Sequence, residues 1–168
     1  MLKLGRLADY ATLVMTQLAI SPQQTRSAHD LAQLSRVAPP TVAKLMRLLA
    51  RAGLVEAARG AKGGYRLARA PAEVSVADIV TAIEGPVALT VCAAHEGRCS
   101  IESDCGARST WRLINAAIQQ ALKAVSLQQM ADGARAEAAR HALLHTTPLP
   151  LAGLGHAPTT PSVLSSNS

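Results

Sequence analysis

The sequence predicts a mainly α chain: a winged helix-turn-helix with a small β-hairpin wing and a long C-terminal dimerisation helix. Three observations predict it. The first 53 residues carry three helical stripes, the last with a cationic outer face; a glycine-rich, cationic hairpin follows directly; and residues 111–125 show an apolar seam at alternating spacings of three and four. Charge agrees with this order. Residues 1–70 hold eleven Lys or Arg against three Asp or Glu, a balance of +8, whereas residues 71–132 hold four against seven, a balance of −3. A basic half-chain of this kind most often meets nucleic acid or an anionic membrane surface.

Along the chain, Leu7, Ala11, Val14 and Leu18 fall at helical spacing, and Ser21-Pro22 stops the first helix. Ser27 is placed to N-cap a short helix, AHDLAQLS, with Leu31 and Leu34 facing inward. In RVAPPTVAKLMRLLARAGLV, Pro39 and Pro40 occupy the first turn of a third helix, where a missing N–H costs nothing, and Gly53 closes it. Val42, Leu45, Leu48 and Leu49 form its buried stripe. Thr41, Lys44, Arg47 and Arg51 remain on the outer face, which in a helix-turn-helix enters the major groove. The stretch LVEAARGAKGGYRLAR then reads as strand, turn and strand, with Arg59 and Lys62 at the tip of a wing that can reach phosphate or a narrow minor groove.

Beyond the wing, Val76 to Glu84 forms a helix capped by Ser75 and closed by Gly85-Pro86. Trp111, Ile114, Ile118, Ala121 and Val125 then recur on a helix of some twenty residues, and a second copy of the chain is the expected partner for that seam. The implied organisation is a DNA-binding domain over 1–86, a cysteine loop over 87–108, a dimerisation helix over 109–132, and a tail over 133–168 with little order. No apolar run approaches the roughly 18 residues of a membrane span. Asp9, Thr12, Thr16 and Gln17 interrupt any signal-peptide core, so a cytoplasmic protein without a membrane role is expected.

All three cysteines lie in CAAHEGRCSIESDC, as Cys92-x6-Cys99-x5-Cys105. An odd number cannot pair off as disulfides, and a cytoplasmic setting favours reduced thiols. The absence of any C-x-x-C pair suits zinc or thioredoxin chemistry poorly. A nucleophilic cysteine would want a paired base; His95 is the one nearby, and three cysteines exceed that need. The chain is therefore read as a regulator, with no small-molecule substrate, and not as an enzyme. Soft thiolates clustered in a Gly-containing loop between helices suit an iron-sulfur cluster.

With these residues in view, the chain resembles the winged-helix iron-sulfur regulators of the IscR and NsrR type, and within them the bacterial regulators of SUF iron-sulfur assembly. The resemblance is carried by LADYAT, VAPPTVAKLMRLLARAGLVEAARGAKGGYRLAR, EGPVALTVC and the cysteines up to Trp111, and spans about residues 1–131. It implies a homodimeric repressor or dual regulator of iron-sulfur assembly genes, whose cluster, held by Cys92, Cys99 and Cys105, sets affinity for a double-stranded DNA operator. It also implies a fourth ligand. IscR-like members place a His where this chain has Arg108, which cannot ligate iron; in the NsrR-like branch an Asp of the first helix, supplied by the partner subunit, takes that role, and Asp9 matches it. His95, Glu96, Glu102 and Asp104 are rival ligands, and the cluster type stays open between 2Fe-2S and 4Fe-4S. Where relatives read DNA with an acidic residue, this chain has Ala43. The competing function is a cluster-free thiol redox regulator on the same scaffold.

Overall fold

The computed structural model describes residues 5–58, 60, 63–90, 93 and 105–146. Helix α1 runs Arg6–Ile20 and turns Ala8, Ala11, Val14, Met15, Leu18 and Ala19 into the core. It ends at Ser21, whose φ of −136° and ψ of 71° leave the helical region. Helix α2, Ala28–Ser35, starts in a capping box: the Ser27 hydroxyl accepts the Asp30 N–H, and the Asp30 carboxylate accepts the Ser27 N–H. Such a cap is worth about 1 kcal/mol. Leu34, expected inside, is 45% exposed. The residues that reach the core are Leu31 and Ala32, and at about 100° per residue Leu34 lies roughly 110° away from the direction midway between them.

Arg36 forms the turn after α2 with φ 55°, the one positive φ outside glycine among the described residues. Helix α3, Pro39–Arg51, buries Val42, Leu45, Met46 and Leu49; Leu48 is half-buried, and Met46 joins the stripe. Its C-terminus closes on Gly53 at φ 70°. There the Gly53 N–H donates to the Ala50 carbonyl at 3.1 Å and the Leu54 N–H to the Leu49 carbonyl at 3.0 Å. This is the Schellman pattern, which satisfies carbonyls that a helix end would otherwise orphan and brings two apolar side chains, Leu49 and Leu54, together.

Strands β1, Val55–Ala58, and β2, Gly64–Leu67, pair antiparallel with Val55 opposite Leu67 and Ala58 opposite Gly64. A third strand position comes from the α1–α2 loop: the Arg26 N–H donates to the Tyr65 carbonyl at 3.0 Å, and the Tyr65 N–H to the Arg26 carbonyl at 2.8 Å. Gly64 permits this approach, since a Cβ there would meet the Arg26 carbonyl oxygen. The hairpin is thus tied to the loop that leads into α2 as well as to α3.

A short 3-10 turn, Pro71–Glu73, leads into α4, Val76–Glu84, which opens in a second capping box between Ser75 and Asp78. Gly85 ends it at φ 84°. The single helix expected over 109–132 is instead two: α5 spans Arg108–Ala124 and α6 spans Leu127–Thr146. Val125 adopts an extended φ of −97° and ψ of 114°, and Ser126 caps the new helix by accepting the Gln129 N–H at 3.2 Å while Gln129 Oε1 accepts the Ser126 N–H at 2.8 Å. Leu127 and Ala131 then enter the winged-helix core at 0% exposure. The tail expected to have little order from 133 continues helical to Thr146; residues 147–168 lie outside the described residues.

Candidate DNA interface and cysteine loop

The α2–turn–α3 unit fixes the cationic face. With Val42, Leu45 and Leu49 buried, the wheel leaves Lys44, Arg47 and Arg51 exposed and Thr41 half-buried at the helix start. Thr41 donates its N–H to the Ala38 carbonyl at 2.9 Å, so its place in the first turn is set by the backbone. Arg47 Nε donates to the Ala43 carbonyl at 3.2 Å and lies along the helix. Lys44, one turn from Thr41 and one from Arg47, is the exposed cation at the centre of this row.

On the wing, Arg66 Nη2 pairs with Glu56 Oε2 at 2.8 Å, both side chains more than half exposed, 58% and 52%. A surface pair of this sort contributes about 0.2–1 kcal/mol and neutralises the wing's stem. The cations assigned to its tip, Arg59 and Lys62, lie outside the described residues. The turn itself is closed by the Gly63 N–H donating to the Gly60 carbonyl at 2.8 Å, and a Cβ on Gly63 would come within 2.6 Å of the Ala58 carbonyl oxygen.

Of the three cysteines, Cys105 is described: a free, half-buried thiol just ahead of α5. Its carbonyl accepts the Arg108 N–H at 3.2 Å, which fixes the foot of the loop to the helix start. Cys92 and Cys99, with His95, Glu96, Glu102 and Asp104, lie outside the described residues. Among the described residues no group of three His, Cys, Asp or Glu is assembled. Asp9 is exposed in the first turn of α1. At that same helix end Gly5 lies against Glu84, whose carboxylate a Cβ on Gly5 would strike; the start of α1 therefore sits beside the point where the chain leaves α4 for the cysteines. Arg108, at the IscR-like histidine position, opens α5.

Two residues that the sequence did not single out hold the other end of the loop. Asn115 Oδ1 accepts the Leu89 N–H at 3.2 Å, and Gln119 Nε2 donates to the Val87 carbonyl at 3.0 Å. Their signal was available: both are polar residues inside an apolar stripe, flanking Ile118.

Of the expected seam, Trp111 is 40% exposed and Ile114 38%. Ala121 is exposed, and Ile118 is half-buried. Val125, 42% exposed, sits beyond the helix end with its carbonyl engaged by the Val76 N–H at 2.9 Å. Leu113, 72% exposed, adds to the apolar surface of α5.

Asp78, in its capping box, is partly buried, which works against ionisation. The Ser75 N–H and hydroxyl, with Arg69 and Lys123 nearby, outweigh that burial and hold its carboxyl below the usual 3.8. Asp30 is lowered in the same direction, chiefly by the Ser27 hydroxyl.

A helix-turn-helix whose third helix presents Thr41, Lys44 and Arg47, followed by a hairpin tied into the same core, defines a winged-helix DNA-binding regulator. The chain belongs to the Rrf2 family, described as iron-dependent transcriptional regulators, whose sequence model matches residues 4–133. A helix-turn-helix-type transcriptional regulator of Synechocystis sp. is 30% identical over 135 residues, 80% of this chain and 90% of that one. Among solved structures, CymR, the global cysteine regulator of B. subtilis, superposes with a TM-score of 0.63 at 27% identity, covering 79% of this chain and 98% of CymR. IscR of T. potens superposes with a TM-score of 0.62 at 28% identity, covering 79% of this chain and 88% of IscR. The relatives are transcription regulators and not enzymes. Among the described residues no helix is long and apolar enough to cross a membrane.

Proposed function

We propose that the protein is a homodimeric repressor that reads a two-fold DNA operator and senses the state of an iron-sulfur cluster, with iron-sulfur assembly genes among its targets. The observation that carries this reading is the anchoring of the cysteine loop: one end at Cys105 on the start of α5, the other by Val87 and Leu89 on the side of α5. A loop with all the chain's thiols, based on the helix whose exposed apolar face awaits a second copy, can report its occupancy to the dimer.

The donor set suits the group. Thiolates are the usual protein ligands of iron-sulfur irons, normally four to a cluster, and Cys105 is a free, half-buried thiol able to serve as one. Cys92, Cys99 and Cys105 would hold the cluster, and Asp9 of the partner subunit would complete it. The cluster supplies a redox-labile, charged group; the chain supplies the loop that holds it and the helix that feels it. Thr41, Lys44 and Arg47 would meet the major groove, and Arg59 and Lys62 the backbone or minor groove. The similarity to T. potens IscR supports this reading.

A second reading is favoured by the equal similarity to a cysteine regulator, CymR: two of the three thiols oxidise and no cluster is held. Anaerobic purification separates the two. Visible absorption with stoichiometric iron and sulfide supports the cluster; a colourless protein with reversible thiol loss supports the redox switch.

A further inference from the structure

Asn115 is one of two buried polar residues among those described, at 6% exposure. Its Oδ1 and the Nε2 of Gln119, one turn on, bond the backbone of Leu89 and Val87, the segment by which the chain leaves α4 for the cysteines. Beside that segment a cavity of about 230 Å³ opens between Ala77 and Thr81 of α4, Pro86 and Val87, and Gln119 and Leu122 of α5. The segment is therefore bonded to α5 and borders open space between α4 and α5. The far end of the loop joins α5 directly at Arg108.

We propose that Asn115 and Gln119 are positioning residues that transmit the state of the cysteine loop to α5, and through α5 to the spacing of the two recognition helices in the dimer. This rests on the reading given above. Any displacement of residues 87–89 must either break two hydrogen bonds to backbone groups, that of the Leu89 N–H to the buried Asn115 Oδ1 and that of Gln119 Nε2 to the Val87 carbonyl, or carry α5 with it. Breaking the bond to Asn115 would leave a buried polar group unpaired, a penalty that favours the helix following. A helix at a two-fold interface converts a small shift into a changed half-site separation, which DNA registers as affinity.

The test compares wild type with Gln119→Leu, with Asn115→Leu/Gln119→Leu, and with Gln119→Lys, which keeps a donor for the Val87 carbonyl. Each protein is assayed anaerobically for iron and sulfide, for dimer mass by sedimentation, and for operator affinity with and without the cluster. All should bind iron and sulfide as wild type does and stay dimeric. An apo–holo affinity ratio on the order of 5–150-fold should fall to about 1–3-fold in the two Leu variants and stay near wild type in Gln119→Lys. Where the double variant does not fold, Gln119→Leu alone decides. A wild-type ratio in Gln119→Leu overturns the proposal, and so does loss of its cluster or dimer, which would make the residue merely structural. A wild-type chain with no affinity difference between any two states of its cysteines overturns the reading beneath it, and this proposal with it.

Discussion

Ser75 and Ser126 face each other across an antiparallel bridge. The Val76 N–H donates to the Val125 carbonyl at 2.9 Å, and the Leu127 N–H to the Val74 carbonyl at 2.7 Å. Each serine then caps its own helix, Ser75 with Asp78 and Ser126 with Gln129. The bridge stitches α6 to α4. Arg135, two turns along α6, completes the attachment by donating to the Ala19 and Ile20 carbonyls at the end of α1, at 3.2 and 2.7 Å. The last described helix is thus part of the DNA-binding core.

Replacing Leu127, fully buried, by Ala should therefore destabilise the winged domain by about 2–5 kcal/mol. Ser126→Ala should cost about 1 kcal/mol. Urea unfolding monitored at the wing or α3 checks both, and an unchanged midpoint in Leu127→Ala would detach α6 from that core.

Acid should act through the capping carboxylates. A carboxyl held below its unfolded value of 3.8 contributes stability that is present above that value and is lost as pH falls through the folded one. Asp78 and Asp30 both have this sign. Unfolding midpoints should drop as pH falls below about 4, and Asp78→Asn should flatten that limb while lowering stability near pH 7. An acid limb as steep as wild type in that variant would assign it to other groups.

On DNA, Lys62→Ala should weaken all sequences about equally and reduce the salt slope by about one per subunit. Lys44→Ala should in addition change base preference, at about 1–3 kcal/mol for a lost base contact. Binding isotherms over a salt series, on a specific and a random duplex, read both effects. Two unaffected variants would remove α3 and the wing from the interface.

The apolar face of α5 predicts the dimer. Ile114, 38% exposed, is a cleaner probe than Ile118, which is half-buried in the single chain. Ile114→Asp would bury an unpaired charge in the seam, so sedimentation should show monomer and operator affinity should collapse. An intact dimer would place the interface elsewhere.

Local signals were the legible ones. The serine caps at 27 and 75 and the closing glycines at 53 and 85 need no knowledge of distant chain and stand where the sequence puts them, as do the stripes of α1 and α3 but for half-buried Leu7 and Leu48 and the addition of Met46. The break at Val125 was written as a capping box, Ser126 to Gln129, yet the apolar spacing ran across it and concealed it. Leu34 was misassigned because a helix of eight residues has too few turns for periodicity to choose between neighbouring faces. The roles of Arg135, Asn115 and Gln119 depend on partners 26 or more residues away; polar residues beside an apolar stripe mark Asn115 and Gln119, but no local pattern names what they bond. The DNA contact proposed for Lys44 and the ligation proposed for Asp9 rest on groups outside the single chain.

The most direct test of the account is the affinity of the protein for DNA upstream of its own gene, measured anaerobically with the cluster loaded and after chelation, for wild type and Cys105→Ser. Wild type should carry iron and sulfide and change its affinity when they are removed. Cys105→Ser should be colourless and bind at the apo affinity throughout. A colourless wild type, or one whose affinity is the same before and after chelation, would contradict the proposal that an iron-sulfur cluster in this loop governs DNA binding.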